Sequence, residues 1–237
     1  MDTRNWDARQ WDDLYRSREQ LFSGNANGVL VTEAVDLAPG RALDVGCGEG
    51  GDALWLARRG WHVTGVDISD VALGRAAAAA GSDPELIGKV TWLRADLTRM
   101  PLPGAAFDLV SAQYLPLPRG SGDAALCGLL AAVAPGGTLL VAFHDPADLP
   151  PDHASHGDLG SYYLPGDIAE VLDDSWRIVV NETRPRTAPA PPGTHHVGDV
   201  VRAGRNVCAE PVTRRRSEWP IITWQPPAGG FGADHGG

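Results

Sequence analysis

The segment formed by residues 42–69 restricts the possible folds of this 237-residue chain more than any other feature. Its sequence, ALDVGCGEGGDALWLARRGWHVTGVDIS, contains an apolar run, a glycine-rich stretch, a helical pattern and a second apolar run that ends in an acid. This order predicts a strand, a loop, a helix and a second strand, which is the repeating unit of a parallel sheet. Gly46, Gly48 and Gly50 let the loop turn sharply and approach a ligand, because no β-carbon intrudes there.

Short apolar runs alternate with helical patterns along most of the chain, which is typical of an α/β fold. We expect strands near residues 42–45, 61–66, 90–95, 107–112, 138–143, 176–183 and 197–203. We expect helices near residues 6–22, 28–37, 52–59, 70–80, 123–134 and 165–172. The predicted fold class is α/β: a Rossmann-like, seven-stranded, mostly parallel sheet with helices on both faces and the last strand antiparallel.

The length of the chain suits one sizeable α/β domain rather than two independent domains. We assign residues 39–206 to this domain and residues 1–38 to an N-terminal helical segment. Residues 207–237 mix arginines, prolines and glycines, and we expect an extended or mobile C-terminal tail there.

The charge and the cysteine content narrow the range of partners and compartments. A formal net charge of -10 repels phosphate backbones, so we expect no nucleic-acid partner. Three cysteines are too few for a disulfide scaffold, and the sequence contains neither a secretory signal nor an apolar run long enough for a membrane helix. We therefore expect a cytoplasmic protein without a membrane partner, acting as a monomer or homodimer.

Two acids flank the glycine loop and indicate which ligand the loop holds. Asp67 follows Gly46 by 21 positions and ends the second predicted strand. A carboxylate there can accept hydrogen bonds from both hydroxyls of an adenosine ribose. Gly46, Gly48 and Gly51 also satisfy the G-x-G-x-x-G pattern of dinucleotide sites, so NAD or FAD is an alternative. A pyrophosphate over the loop would be repelled by Asp44, whereas the cationic ammonium and sulfonium of S-adenosylmethionine would be attracted.

Further motifs support S-adenosylmethionine as the ligand. With DVGCGEG at residues 44–50, the chain resembles the class I S-adenosylmethionine-dependent methyltransferases, and the resemblance extends through VDIS (66–69), RADL (94–97), FDLV (107–110) and APGGTLLV (134–141). It implies this cofactor and methyl transfer to an acceptor. Asp96, at the end of the third predicted strand, is placed to accept from the adenine amino group. The residues that we predict at the cofactor are Trp11, Tyr15, Asp44, Gly46, Cys47, Gly48, Gly50, Asp67, Ile68, Ser69, Asp96, Leu97 and Gln113.

Within that family the chain is similar to the bacterial branch of tellurite-resistance and thiopurine methyltransferases. The similarity rests on WDDLYRS at residues 11–17 together with residues 46–69. It implies a small, soft or thiol-like acceptor, and it implies that the helical segment of residues 1–38 acts as a lid. The acceptor class predicted for the enzyme is a small molecule of thiol, chalcogen or hydroxyl type.

The acceptor side of the site is predicted from position in the sheet. Gln113 and Tyr114 follow the fourth strand, and His144 ends the fifth, so all three lie at the carboxyl edge where open α/β sheets bind ligands. The predicted catalytic residues are Tyr114, as an aromatic wall near the sulfonium, and His144, as a general base. Both have structural alternatives, since aromatic residues such as Trp11, Tyr15 and Tyr114 also pack in cores or lids.

Four further histidines, at positions 153, 156, 195 and 196, are alternative metal ligands. Adjacent residues of an extended segment point to opposite faces, so His195 and His196 cannot easily bind the same ion. We therefore expect no metal and attribute these histidines to polar loops. Two other functions stay open: a nicotinamide-dependent oxidoreductase that uses the same glycines, and a protein that binds S-adenosylmethionine without catalysis.

Overall fold

The computed structural model describes residues 7–100, 102, 104–119, 123–148, 159–187 and 197–207. The helices of this part of the chain are α1 (Ala8–Arg16), α2 (Gly28–Ala34), α3 (Gly51–Arg58), α4 (Asp70–Gly81), α5 (Ala124–Ala132) and α6 (Pro165–Glu170). The strands are β1 (Arg41–Val45), β2 (His62–Asp67), β3 (Val90–Arg94), β4 (Phe107–Gln113), β5 (Val133–His144), β6 (Trp176–Pro185) and β7 (Gly198–Asn206).

The strands form one seven-stranded sheet in the order β3-β2-β1-β4-β5-β7-β6. The first five strands pair in parallel, whereas β7 runs antiparallel to both of its neighbours, β5 and β6. The strand order reverses between β1 and β4, and ligands of open α/β sheets bind at such a reversal, beyond the carboxyl ends of the strands. The predicted fold class, including the antiparallel last strand, is confirmed.

Helices cover both faces of the sheet, as predicted. Neighbouring residues of a strand point to opposite faces, so Ala42 of β1 packs in a buried cluster with α2, α3 and α4. Leu43, the next residue, packs in a second cluster with α5 and α6. Both faces of β1 are therefore buried, which places the strand and the loop that follows it in the rigid centre of the domain.

Four predicted helices are shorter in the structure, and two of them, α2 and α6, end three and two residues early, at Ala34 and Glu170. α1 begins after Asp7, whose side chain accepts from Gln10 N in a capping box, and it ends at Arg16 rather than near residue 22. α5 ends at Ala132 because Pro135 disfavours helical geometry in the residue before it, and β5 begins at once.

Some predictions concern residues outside the described part of the chain. These are the C-terminal tail of residues 207–237 beyond its first residue, and the histidines at positions 153, 156, 195 and 196. The division into residues 1–38, 39–206 and 207–237 stays a prediction. Among the described helices, none has the length and apolar character needed to cross a bilayer.

Candidate functional site

The glycine loop joins β1 to α3 in a backbone conformation that L-residues rarely adopt. Gly46, Gly48 and Gly50 have φ angles of +73°, +52° and +87°. The loop is anchored to the neighbouring strand, because the amides of Gly46 and Cys47 both donate to the carbonyl of Val66, at 2.8 and 3.0 Å. A side chain at any of the three glycines would therefore strain the turn.

Asp44 and Asp67 lie in the same site, on adjacent parallel strands. Asp67 accepts from the amide of Gly48 at Oδ2 and from that of Ser69 at Oδ1, both at 2.9 Å. Asp44 is 2% exposed, and its Oδ2 has no hydrogen-bond partner among the described residues. The carboxylate that the sequence places beneath the loop is thus buried, with one oxygen unsatisfied.

Asp52 of α3 adds a third acid to this site. Its carboxylate accepts from the backbone and the side-chain amide of Asn27, at 2.6 and 2.9 Å. Burial raises the pKa of Asp44 well above its usual range, and the charges of Asp52 and Asp67 raise that pKa further. The pKa of Asp52 and that of Asp67 are also raised, chiefly by burial. The three neighbouring acids disfavour one another's charged forms, so a cationic ligand that lowers their pKa values would be favoured here.

Gln113, at the end of β4, supplies a second unsatisfied acceptor. Its Nε2 donates to Ser111 Oγ at 3.0 Å, and its buried Oε1 has no partner within the described ranges. Buried acceptors without partners are rare in native proteins, because each costs about 1–3 kcal/mol. An ammonium group carries three donors and a positive charge, so the residues present fit the methionine end of S-adenosylmethionine.

The chain from Tyr15 to Phe22 is tied to the glycine loop by Glu49. The Glu49 carboxylate accepts from the amides of Leu21 and Phe22, the latter at 3.0 Å, and from Arg75 at 2.7 Å. Arg75 also donates to the backbone carbonyl of Tyr15 at 2.9 Å. The loop that would cradle the cofactor is therefore also the attachment point of the N-terminal segment.

α1 makes a second attachment through Asp12. Its Oδ1 accepts from Ser69 Oγ at 2.6 Å and from the amide of Val71 at 3.1 Å. These groups lie at the beginning of α4, where the helix dipole favours a negative charge. Ser69 in turn accepts from the amide of Ala72 and caps the helix. Ser69, predicted at the cofactor, is thus occupied in linking two helices.

Tyr15 and Trp11 both belong to α1, which lies over the loop. A β-carbon built on Gly48 would lie 2.9 Å from the Tyr15 hydroxyl oxygen, and the Tyr15 ring packs edge-on against Phe22. Tyr15 is buried, and its pKa is raised by that burial and next by the charge of Asp67. Trp11 is the next aromatic residue outward, 6.4 Å from Tyr15 between ring centroids.

The remaining predicted cofactor residues are placed less directly. Asp96 accepts from the amide and the hydroxyl of Thr98, at 2.9 and 2.6 Å, and pairs with Arg99, so it stabilises its own turn. The Cys47 thiol is buried, and burial followed by the nearby acids raises its pKa. The carbonyl of Ile68 accepts from an arginine of β3, and Leu97 packs at the margin of the second cluster.

Tyr114 and His144 meet at the carboxyl edge, as their positions in the sequence predict. Their rings stack with centroids 4.5 Å apart. The Tyr114 hydroxyl donates to Asp199 at 2.9 Å, and burial and the Asp199 charge raise its pKa. Tyr114 has a φ of +55°, a strained conformation for an aromatic residue that is held by the bond from its amide to Ala142. Strain of this kind is concentrated at functional sites.

Arg186 determines the protonation of the His144 ring. Its NH1 lies 3.1 Å from His144 Nδ1. A guanidinium has no acceptor, so Nδ1 accepts and the proton of the neutral ring is on Nε2. In this arrangement neither ring nitrogen can take a proton from the molecule that receives the methyl group. The prediction of His144 as a general base stays a prediction, and it requires Arg186 to release Nδ1.

A cavity of about 230 Å³ opens beside His144 on the other face of the sheet, between β5, β7 and α6. Its lining includes Phe143, Val200 and Pro165, and none of the glycine-loop residues contributes to it. This cavity is therefore separate from the cofactor cradle, and it adjoins the acceptor side.

The sequence reasoning missed four residues that the structure places in or against the site. Asp12, Glu49 and Asp52 accept backbone amides, and Arg186 is buried beside His144. Glu49 lies inside the glycine loop, Asp52 directly follows Gly51, and Asp12 lies within WDDLYRS, so the positions of these three were signals available from the sequence, whereas Arg186 has no local pattern.

Comparisons with known proteins agree with this geometry. Residues 42–137 match the family model described as a methyltransferase domain. The chain is 39% identical over 124 residues to an uncharacterized methyltransferase of Mycobacterium tuberculosis, covering 52% of this chain and 60% of that protein.

Two solved structures share the fold at low sequence identity. One comes from work on the conversion of a disulfide bond into a thioacetal group during echinomycin biosynthesis. Its TM-score is 0.67 at 21% identity, and the superposition covers 86% of this chain and 93% of that protein. The N-methyltransferase NodS from Bradyrhizobium japonicum WM9, in complex with S-adenosylhomocysteine, gives 0.63 at 16% identity, covering 85% and 99%.

The fold is therefore Rossmann-like and shared with a solved methyltransferase structure, and residues 42–137 match a methyltransferase domain. The match to the Mycobacterium protein spans 60% of that protein's length.

Proposed function

We propose that this chain is an S-adenosylmethionine-dependent methyltransferase that acts on a small-molecule acceptor of thiol, chalcogen or hydroxyl type. The observation that carries the proposal is a pair of buried acceptor atoms at the carboxyl edge beside the glycine loop, Asp44 Oδ2 and Gln113 Oε1, for which the described residues supply no donor. Both call for a donor, and the surrounding acids call for a positive one. A ligand with an ammonium group satisfies both demands, whereas a diphosphate satisfies neither.

Different residues of the chain would bind different parts of the cofactor. Asp44 and Gln113 would hold the ammonium, Asp67 would accept the ribose hydroxyls, and Asp96 would accept from adenine after releasing Thr98. The bound cofactor supplies an electrophilic methyl on a sulfonium. The protein's contribution is alignment, which provides about 7–11 kcal/mol when two reactants are well oriented. Tyr114, fixed by Asp199, would form the wall against which the methyl is delivered.

The acceptor type rests on the similarity to the tellurite-resistance and thiopurine branch, and on the edge that Tyr114 and His144 share. Soft anionic nucleophiles such as thiolates need no base at the moment of transfer. This matches a His144 ring whose Nδ1 is engaged by Arg186. The proposal includes cytoplasmic residence and a monomer or homodimer, with no nucleic-acid partner.

A binding comparison separates this function from its rivals. Calorimetric titration with S-adenosylhomocysteine and with NAD is expected to show binding of the first alone. Binding of NAD alone would assign the chain to the nicotinamide-dependent oxidoreductases.

Activity is tested by S-adenosylhomocysteine release with thiols, chalcogen oxyanions, halides and phenols as acceptors. Turnover with a thiol or a selenol is expected. Tight binding of S-adenosylhomocysteine without turnover on any acceptor would favour the protein that binds the cofactor without catalysis.

A further inference from the structure

Arg186 is a buried cation at the acceptor side of the sheet that the proposed function does not yet use. It directly follows β6, and its side chain is only 10% exposed. Its guanidinium carbon lies 5.0 Å from the centre of the Tyr114 ring. Around it are gathered His144 from the end of β5 and Asp199 from the beginning of β7. Four segments thus bring their edge residues to one guanidinium.

The guanidinium uses only one of its three nitrogens in these contacts. NH1 donates to Asp199 at 3.0 Å and faces His144 Nδ1 at 3.1 Å. Nε is buried and has no partner in the described part of the chain. Leaving a donor of a buried charged group unsatisfied is costly, so this edge of Arg186 is expected to meet a ligand.

A carboxylate fits the unused edge. Nε and NH2 lie side by side in the guanidinium plane, and their two N–H groups match the two oxygens of a carboxylate in a bidentate pair. Asp199 accepts from NH1 and from the Tyr114 hydroxyl, and a second cation, Arg184, is close enough to act on its charge, so Arg186 is not the only positive charge that offsets Asp199 at this edge.

This edge lies on the cofactor's side of the sheet. Residues two apart in a strand share a face of the sheet. The first buried cluster contains Ala42, Ala142 and Val201, which are two positions from Asp44, His144 and Asp199 respectively. These three polar residues therefore lie on one face. Asp52 is close enough to contribute to raising the pKa of Tyr114, which links the acid cluster to the Arg186 group. A molecule held by Arg186 would therefore lie beside the cofactor.

We propose that Arg186 anchors the methyl acceptor, and that the acceptor is a small molecule carrying a carboxylate in addition to the thiol, chalcogen or hydroxyl group that is methylated. This inference rests on the proposed function for the identity of the bound molecule as an acceptor. It makes Arg186 the residue that determines specificity, and the carboxylate serves for binding only.

The test uses the full chain, with and without S-adenosylhomocysteine, and two probes of the same shape, benzoate and benzamide. Calorimetry is expected to show benzoate binding at least tenfold tighter than benzamide. Arg186→Gln should weaken benzoate binding about 10- to 150-fold, the range for a hydrogen bond to a charged group, and leave benzamide unchanged. Arg184→Gln is the matched control, because Arg184 lies two residues earlier and pairs with Glu33 and Glu182 instead.

Arg186→Lys keeps the positive charge beside Asp199 but lacks the planar edge, so it tests the proposal if the glutamine variant does not fold. It should also weaken benzoate binding. Equal affinity for benzoate and benzamide, no binding of benzoate, or benzoate binding that neither Arg186 variant reduces would overturn the inference. If the wild type does not bind S-adenosylhomocysteine, the proposed function is refuted instead. The benzoate titration done without S-adenosylhomocysteine still tests Arg186 in that case.

Discussion

Replacement of Asp44 by Asn is expected to stabilise the ligand-free protein and to weaken cofactor binding at the same time. Asp44 is a buried carboxyl group beside two other acids, and among the described residues its Oδ2 has no hydrogen-bond partner. The amide keeps the shape and can still accept from Ala53 N, but it cannot be charged. Above the folded pKa of Asp44 the wild type carries a charge that burial and two neighbouring acids disfavour, so the variant should gain about 1.4 kcal/mol in the free energy of unfolding for each unit by which that pKa is raised. For a chain of this size that is about 2–4 °C in Tm per kcal/mol.

The same change removes a charge-assisted bond to the ligand's ammonium. Such bonds contribute about 1.5–3 kcal/mol, so the Kd for S-adenosylhomocysteine should rise about 10- to 150-fold. Urea unfolding and isothermal calorimetry on one preparation measure both effects. Asp108→Asn is the control, because Asp108 is an exposed acid of β4 that accepts from Arg41 N and lies away from the site. It should leave the affinity unchanged.

The pH dependence of stability provides a second readout for Asp44→Asn. The pKa of Asp44 is higher in the folded protein than in the unfolded chain, so its contribution to stability is full below the unfolded pKa of about 3.9. That contribution is lost as the pH rises through the folded pKa. The variant should therefore lose less stability than the wild type as the pH rises. A variant that is less stable than the wild type and binds S-adenosylhomocysteine equally well would refute the role of Asp44.

Two further substitutions test the loop and its attachments. Asp67→Asn should raise the Kd for S-adenosylhomocysteine by about 10-fold or more, since it removes the charged acceptor for the ribose, and calorimetry showing an unchanged Kd would contradict that role. Glu49→Gln should accelerate hydrogen exchange at the amides of Leu21 and Phe22, which now donate to a neutral group, while exchange in the sheet stays constant. Unchanged exchange at both amides would mean that other contacts hold the segment.

The sheet and the cofactor cradle were predictable because their signals are local. The glycines, Asp44 and Asp67 lie within one strand–loop–helix–strand unit, so the spacing of residues along the chain determines their spacing in the fold. The parallel pairing of β1 with β2 then brings Asp67 to the amide of Gly48 without any further information. When all residues of a motif belong to one such unit, the spacing along the sequence is enough to predict their arrangement in space.

The acceptor side was predictable only in part, because its contacts join distant segments. Tyr114 and Asp199 are separated by 85 positions and become neighbours through the reversed strand β7. Arg186 stands in a proline-rich stretch that the sequence excludes from a central strand. β6 is in fact the edge strand, which tolerates Pro185 at its end. No periodic pattern relates these residues, so their meeting follows from the topology alone.

The position of Glu49 between two glycines of the loop has a consequence for binding. The amide of Gly48 donates to Asp67, the acid that we propose for the ribose, and the carboxylate of the next residue, Glu49, accepts from the amides of Leu21 and Phe22. A ligand that changes the position of the loop must therefore change how firmly the N-terminal segment is held. Linkage requires the reverse effect to be equal, so whatever orders this segment also changes cofactor affinity by the same factor. If residues 1–38 act as the predicted lid, the acid between the glycines would therefore couple the lid to the proposed cofactor site, although Glu49 itself was not among the residues predicted there.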